Sequence, residues 1–432
     1  RGIVASNPAN PDRSALPSDV FGTVEFFDGR ISFVGGDDGD VLSGLRGKIV
    51  WPSLNRSASL TATGTWRGEA VAVEASSAEP LMLLAKGSAP VKAALQSNLL
   101  SVSFDGVASL TGKAYFDGEA SLSSPSLQRM LEWSRTEIAP GAAVGAISLG
   151  GRIQGTAERM RLDQAALTLG GNTGRGLLDV AFEGTRPSIS GTLAFDKLDL
   201  RSFVAAFAPI AAGEGGMDDP IDTGFADQLS LDVRLSAGTA TLGAITLDEV
   251  AAAAQVKSGF ATFDISDATA FGGMVQAGVR VDPAGEGKSV EMRLMAEDVD
   301  AFAMAKALGA ERLLPQGRAS LSTILKGTGS DWRAVLDSAD GSVSASIGQG
   351  ALVGFDLARF RERSSAGGFF ALEDVAGGTL PFRSFTLKAR MTGGVARIER
   401  ADMQLEGQVA SLSGIVPYLG RALALSGRFA PV

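Results

Sequence analysis

From Leu229 to Ala296 the chain states one pattern five times, and few folds can accommodate it. Leu229, Leu231, Val233 and Leu235 alternate with Ser230, Asp232, Arg234 and Ser236. A period of two puts one face of a β-strand in an apolar environment and the other in water. The pattern returns at Val250 to Val256, at Phe263 and Ile265, at Val275 to Val281 and at Val290 to Ala296. Turn-forming residues divide the runs: Ser258-Gly259, Gly272-Gly273, and Asp282 to Gly287. This reads as an antiparallel meander with one apolar face. What covers that face is the functional question, because the stretch holds hardly any helix.

Composition excludes several classes. The 432 residues include Gly 55 but only Tyr 2 and Trp 4, with His 0 and Cys 0. Scattered glycine suits tight turns and small side chains within a sheet. Without Cys there is neither a disulfide framework nor a thiolate metal site, and without His the commonest general base and metal ligand is missing. A formal net charge of -9 and the lack of a basic stripe argue against nucleic acid. No run of eighteen apolar residues occurs, so no segment reads as a membrane-spanning helix. The start at Arg1, with no initiator Met, suggests a processed or trimmed product.

No catalytic constellation emerges, so the reading is that this is not an enzyme and carries no cofactor or metal. Asp37, Asp38 and Asp40 lack the spacing of a calcium loop and read as a solvated turn. Gly285-Glu286-Gly287-Lys288-Ser289 resembles the tail of a phosphate loop, but Asp282 stands where its first Gly would fall and a strand follows. Asp298 and Asp300 are a carboxylate pair of the kind that does acid/base work in glycosidases, which surround it with aromatic platforms that this chain lacks.

In chain order, residues 1–19 read as a lead-in rich in Pro, Asn, Asp and Ser. Hairpins are expected at Asp28-Gly29, Asp105-Gly106 and Asp117-Gly118, since such pairs supply positive φ at low cost. Trp66 to Glu69 reads as a turn with Arg67 stacked at a sheet edge. Gly170 to Gly176 reads as a hairpin tip. Periodicity and capping predict four short helices: Ser126–Ser134, Leu200–Ile210, Asp300–Ala310 and Asp356–Ser364. A Gly- and acid-rich linker over 213–225 separates an N-terminal β part, 20–212, from a C-terminal β part, 226–432.

The expected fold is therefore mostly β: a long twisted antiparallel sheet, with too few helices to hide its apolar face. It can pack as sandwiches, close on itself, or curl into an open groove, and alternation alone does not separate these. In the groove case Leu231, Val233, Leu235, Val279, Val281, Met292 and Leu294 are the expected lining, and Arg359, Arg361 and Arg363 stand either on a solvated helix face or against anionic head groups.

Several phrases carry a resemblance. They are Arg186-Pro187-Ser188-Ile189-Ser190-Gly191-Thr192-Leu193 running on to Leu200, Leu325-Lys326-Gly327-Thr328-Gly329-Ser330, Gly350-Ala351-Leu352-Val353-Gly354-Phe355-Asp356-Leu357, and Gly393-Gly394-Val395-Ala396 to Met403. In order and spacing they resemble the AsmA family; Gly368 departs from it, standing where the pattern has Thr. The resemblance implies a periplasmic protein of the Gram-negative envelope, tethered to the inner membrane by an N-terminal anchor that is not in this chain. It also implies phospholipid as ligand, carried along a β-groove as in bridge-like lipid transfer proteins, and an outer-membrane partner. The alternative reading is a non-enzymatic assembly factor for outer-membrane proteins, acting through protein–protein contacts.

Overall fold

The computed structural model describes residues 17–32, 41–85, 87–110, 114–135, 145–182, 186–207, 217–218, 220–221, 223–284, 287–420 and 424–431. Outside them lie the lead-in over 1–16, Val34, the Asp37, Asp38 and Asp40 loop, Ala143, Ala208 to Ile210, most of the expected linker, Gly285-Glu286 and Leu423. The chain divides into two compact units. One comprises Arg1–Phe195, Ala205–Phe207 and Asp227–Val233; the other comprises Asp196–Val204, Ala208–Ala226 and Arg234–Val432. The described residues are mostly strand. Twenty-two strands belong to one open antiparallel sheet and three short ones form a second.

The first unit begins with β1 (Val20–Ser32), β2 (Val41–Ser53), β3 (Ala58–Trp66) and β4 (Glu69–Ser77). Helix α1 (Pro80–Leu84) leads to β5 (Ser88–Gln96), β6 (Ser101–Ser109) and β7 (Tyr115–Ser124). Helix α2 (Leu127–Ser134) precedes β8 (Ile147–Thr156), β9 (Arg159–Leu169), β10 (Asn172–Ala181) and β11 (Ser188–Asp199). Each strand pairs antiparallel with the next from β1 to β11.

After α3 (Leu200–Phe207) come β12 (Ser230–Leu242), β13 (Ile245–Lys257), β14 (Phe260–Ala270), β15 (Gly273–Ala284) and β16 (Gly287–Asp300). Helix α4 (Ala301–Ala307) leads to β17 (Leu314–Gln316) and β18 (Arg318–Gly329); α5 (Trp332–Asp337) leads to β19 (Asp340–Ile347) and β20 (Gly350–Val353). Helix α6 (Leu357–Ala366), β21 (Thr379–Phe382), β22 (Ser384–Thr392), β23 (Val395–Leu405), β24 (Gln408–Pro417) and β25 (Ala424–Pro431) complete it. In the second unit β13 to β16 form a meander, which β18, β19, β22, β23, β24 and β25 extend. The small sheet is β17-β20-β21.

The five repeats of the opening pattern are five strands, and two-residue turns with positive φ at both positions join three of them: Ser258 and Gly259 have φ 53° and 87°, and Phe271 and Gly272 52° and 70°. The β3–β4 turn is built the same way, with Arg67 and Gly68 at 50° and 81°. Backbone of this hand follows the twist of the strands it joins.

The three Asp-Gly hairpins are not there. Asp28, at φ 52°, sits at a bulge inside β1, where the register slips between Phe26 and Gly29. Gly106 and Gly118 face each other inside β6 and β7, and a Cβ on either would stand 2.5 Å from the Cα of the other. The backbones meet there because neither residue has a side chain. The Gly170 to Gly176 stretch is a turn only at its first two residues, and from Asn172 it is strand β10. Asp282 and Pro283 likewise belong to β15.

Three of the expected helices begin where expected, and their first residues cap them: Ser126, Asp300 and Asp356 accept from the amides of Arg129, Ala303 and Arg359. α1 and α5 were not expected. At five and six residues, they are too short for a periodic signal.

Candidate functional site

In the first unit the register lines up two apolar rows. Leu60, Ala75, Ala93, Phe104 and Ala120 form one; Ala62, Val73, Leu95, Val102, Leu122 and Leu149 form the other. From β3 to β8 every one of these side chains is half-buried. They form an apolar floor with no layer lying on it among the described residues. A shallow depression of about 680 Å³ follows the first row, where Leu60, Ala75, Ala93, Phe104 and Ala120 line it together with the polar residues beside them in sequence, among them Ser59, Thr61, Glu74, Ser76 and the Lys92–Asp105 ion pair at 2.7 Å.

Helices stand only at the margins of this floor. Leu81 and Met82 of α1 are buried, as are Ala89 and Ala108 of β5 and β6. α2 buries no residue; it ties the end of β7 to the β3–β4 turn through one side chain. The Trp133 ring meets Trp66 edge-on at 4.9 Å, and its Nε1 donates to the Trp66 carbonyl at 3.1 Å. Arg67 Nη1 donates to the Trp133 carbonyl at 3.1 Å, and its guanidinium lies 5.1 Å from the Trp66 ring. The expected edge stacking of Arg67 is thus one part of a latch between turn and helix.

In the second unit the corresponding face is covered along two margins. α5 lies over one, where Val335 packs with Ile221, Val281 and Val290, and Val279, Met292 and Trp332 close around them. Two glycines of β18 let the helix settle: a Cβ on Gly327 would stand 2.1 Å from the Val335 carbonyl oxygen, and one on Gly329 would stand 2.6 Å from its nitrogen. Along the other margin α4 and the small sheet bring Met304, Leu352, Leu380 and Phe382 onto Val299, Ala319 and Ile347. Between them runs the row Leu294, Thr323, Val343, Ala389 and Ile398.

This geometry sorts the seven expected lining residues. Leu231, Val233 and Leu235 are buried. Val281 is wholly buried in the α5 core, with Val279 and Met292 packed beside it. Leu294, at 37% exposure, is the one that lies open. The open floor of the first unit carries the same period-of-two signal, but periodicity marks a face without saying what lies on it.

The polar candidates resolve similarly. Arg359 pairs with the capping Asp356 at 3.7 Å. Arg361 Nη2 donates to Gln408 Oε1 at 2.6 Å and lies over Phe429, and Arg363 is exposed. Asp298, at a bulge, accepts from Arg318 Nε at 2.9 Å, while Asp300 caps α4. Both carboxylates therefore have structural partners. Among the described residues no helix is long and apolar enough to cross a membrane.

Comparison with known proteins places part of this architecture. The model of the AsmA family matches residues 216–401, which run from ahead of β12 into β23. No curated protein and no solved structure matches the chain. Over residues 216–401, the chain is similar to the AsmA family.

Proposed function

We propose that this is a periplasmic, non-enzymatic lipid carrier that holds phospholipid acyl chains against the apolar face of its sheet and assists lipid transport between the inner and outer membranes. Similarity to the AsmA family over residues 216–401 supports a general role in the envelope and its outer membrane. The observation that carries the finer reading is the floor over β3 to β8, whose apolar rows are half-buried while helices stand only at the margins. Apolar surface left open on this scale is costly unless something apolar meets it. Each CH₂ that an acyl chain shields there is worth about 0.8 kcal/mol. Head groups stay in water at the margins, so loading needs no covalent step. Tethering to the inner membrane and a receiving outer-membrane partner belong to the same proposal.

The test is lipid extraction and native mass spectrometry of protein purified without detergent. Stoichiometric phospholipid is the expected result, reduced by Val102→Asp in a folded protein. Lipid-free protein that also fails to take up phospholipid from vesicles would overturn the reading in favour of an assembly factor working through protein contacts.

A further inference from the structure

The arm that follows α6 is built unlike the rest of the surface. Phe369 is 110% exposed, more than any other large apolar residue described, and it follows Gly367 and Gly368 at φ 72° and 84°. Its neighbour turns the other way: the Phe370 ring lies 5.9 Å from Phe360, itself 5.4 Å from Phe355. An aromatic base thus fixes the arm while one phenyl ring points out of the protein. Leu372, at 49% exposure, stands three residues further on.

Cationic charge is concentrated on the helix before the arm: from Leu357 to Leu372 there are Arg359, Arg361 and Arg363 against Glu362, +3 - 1 = +2, with Asp356 ahead of them and Glu373 and Asp374 behind. Of these flanking acids, Asp356 pairs with Arg359, Glu373 pairs with Arg312, and Asp374 accepts from the Ala371 amide. Arg359 and Arg361 are held by Asp356 and by Gln408 with Phe429, yet both remain exposed.

We propose that this arm docks on an anionic phospholipid bilayer, with Phe369 entering the interfacial layer and the α6 arginines facing the head groups. A protruding aromatic ring with adjacent cations supplies the two signals that reversible membrane binding needs, since neither suffices alone. The inference concerns a surface, and it stands independently of what the β3–β8 floor holds.

The experiment uses the full chain with vesicles of phosphatidylglycerol and phosphatidylcholine. Phe369→Trp is expected to give a blue-shifted emission difference spectrum over the four native tryptophans, quenched by brominated lipid in the vesicles. Phe369→Ala is expected to weaken vesicle co-sedimentation about tenfold. Arg363→Gln should weaken it about fivefold, and added salt should weaken it further. A Phe369→Trp spectrum indifferent to vesicles, or Phe369→Ala binding as wild type does, overturns the proposal, including the case in which the ring instead meets a protein. The two readings separate cleanly: Val102→Asp should lose co-purified phospholipid and keep vesicle binding, whereas Phe369→Ala should do the reverse.

Discussion

The apolar faces of β3 to β8 and of β13 to β18 are made by the same alternation, yet only the second is covered along its two margins. Val281, Val290 and Val335 are each 0% exposed, whereas Leu60, Leu95, Val102 and Leu122 are all half-buried. Alternation does not explain the difference, for both stretches pair antiparallel with it, the second with bulges between Asp248 and Ala252, Ile265 and Thr269, and Ala296 and Val299. The segments between strands do. In the second unit α5 lies on the sheet beside two glycines, and α4 with a three-stranded sheet lies on the opposite margin. In the first, α1 and α2 stay at the edges. A strand pattern therefore decides that a face is apolar, and the connections decide whether it is a core or a surface.

The sharpest way to break this comparison is to put the same charge on both faces. Val290→Asp places a carboxylate in a closed apolar cluster and should cost about 4 kcal/mol or more, enough to lower or abolish cooperative unfolding of the second unit. Val102→Asp leaves its carboxylate within reach of water and should cost less than about 1 kcal/mol in urea denaturation, with its effect on bound phospholipid instead. Equal destabilisation by the two would mean that the β3–β8 floor is as closed as the α5 core.

The next test converts one region into the other. Gly327→Ala puts a Cβ where the Val335 carbonyl now sits, so α5 must lift from β18, at about 1–3 kcal/mol. The rows under Val335 would then open, and binding of a hydrophobic dye should rise in the folded baseline. A variant of wild-type stability with unchanged dye binding would show that the glycines are incidental. The latch of the first unit offers a smaller effect. Trp133→Ala removes the edge-on contact with Trp66 and the indole hydrogen bond, about 1–2 kcal/mol together, and frees α2 from the β3–β4 turn. Phospholipid exchange should become faster while the amount bound stays the same.

Much of the fold is legible because it rests on local rules. The meander from Leu229 to Ala296 follows from alternation, and three helix starts follow from Ser126, Asp300 and Asp356. The failures also have local causes. Asp28-Gly29 offers positive φ, which the chain uses for a bulge instead of a turn; Gly106 and Gly118 are where two backbones approach, a demand made by the partner strand and invisible in either strand alone. The lining was harder still. Val279, Val281 and Met292 read as open because α5 is only six residues long, and its contact with them depends on glycines some forty residues further along the chain.

The polar sides of the two units, by contrast, are alike. Arg161 and Asp163 in β9, Arg280 and Asp282 in β15, and Arg400 and Asp402 in β23 each pair two residues apart along a strand, at 3.0, 2.7 and 2.6 Å. The residue between them, Leu162, Val281 or Ala401, is buried on the other side in every case. Asp402 has a further partner, because Ser411 directly across β24 donates to it at 2.7 Å. That hydroxyl first, and Arg400 second, hold its carboxyl below the usual carboxylate range. A carboxyl whose folded pKa is depressed adds stability above its unfolded pKa and loses it as pH falls through the folded value. Ser411→Ala should therefore lower the urea midpoint modestly at neutral pH, and the difference from wild type should shrink as the solution is acidified through the depressed pKa of the folded carboxyl. A difference that persists unchanged in acid would place the contribution of Ser411 in strand packing, and the likeness of the two polar faces would then rest on their Arg–Asp pairs alone.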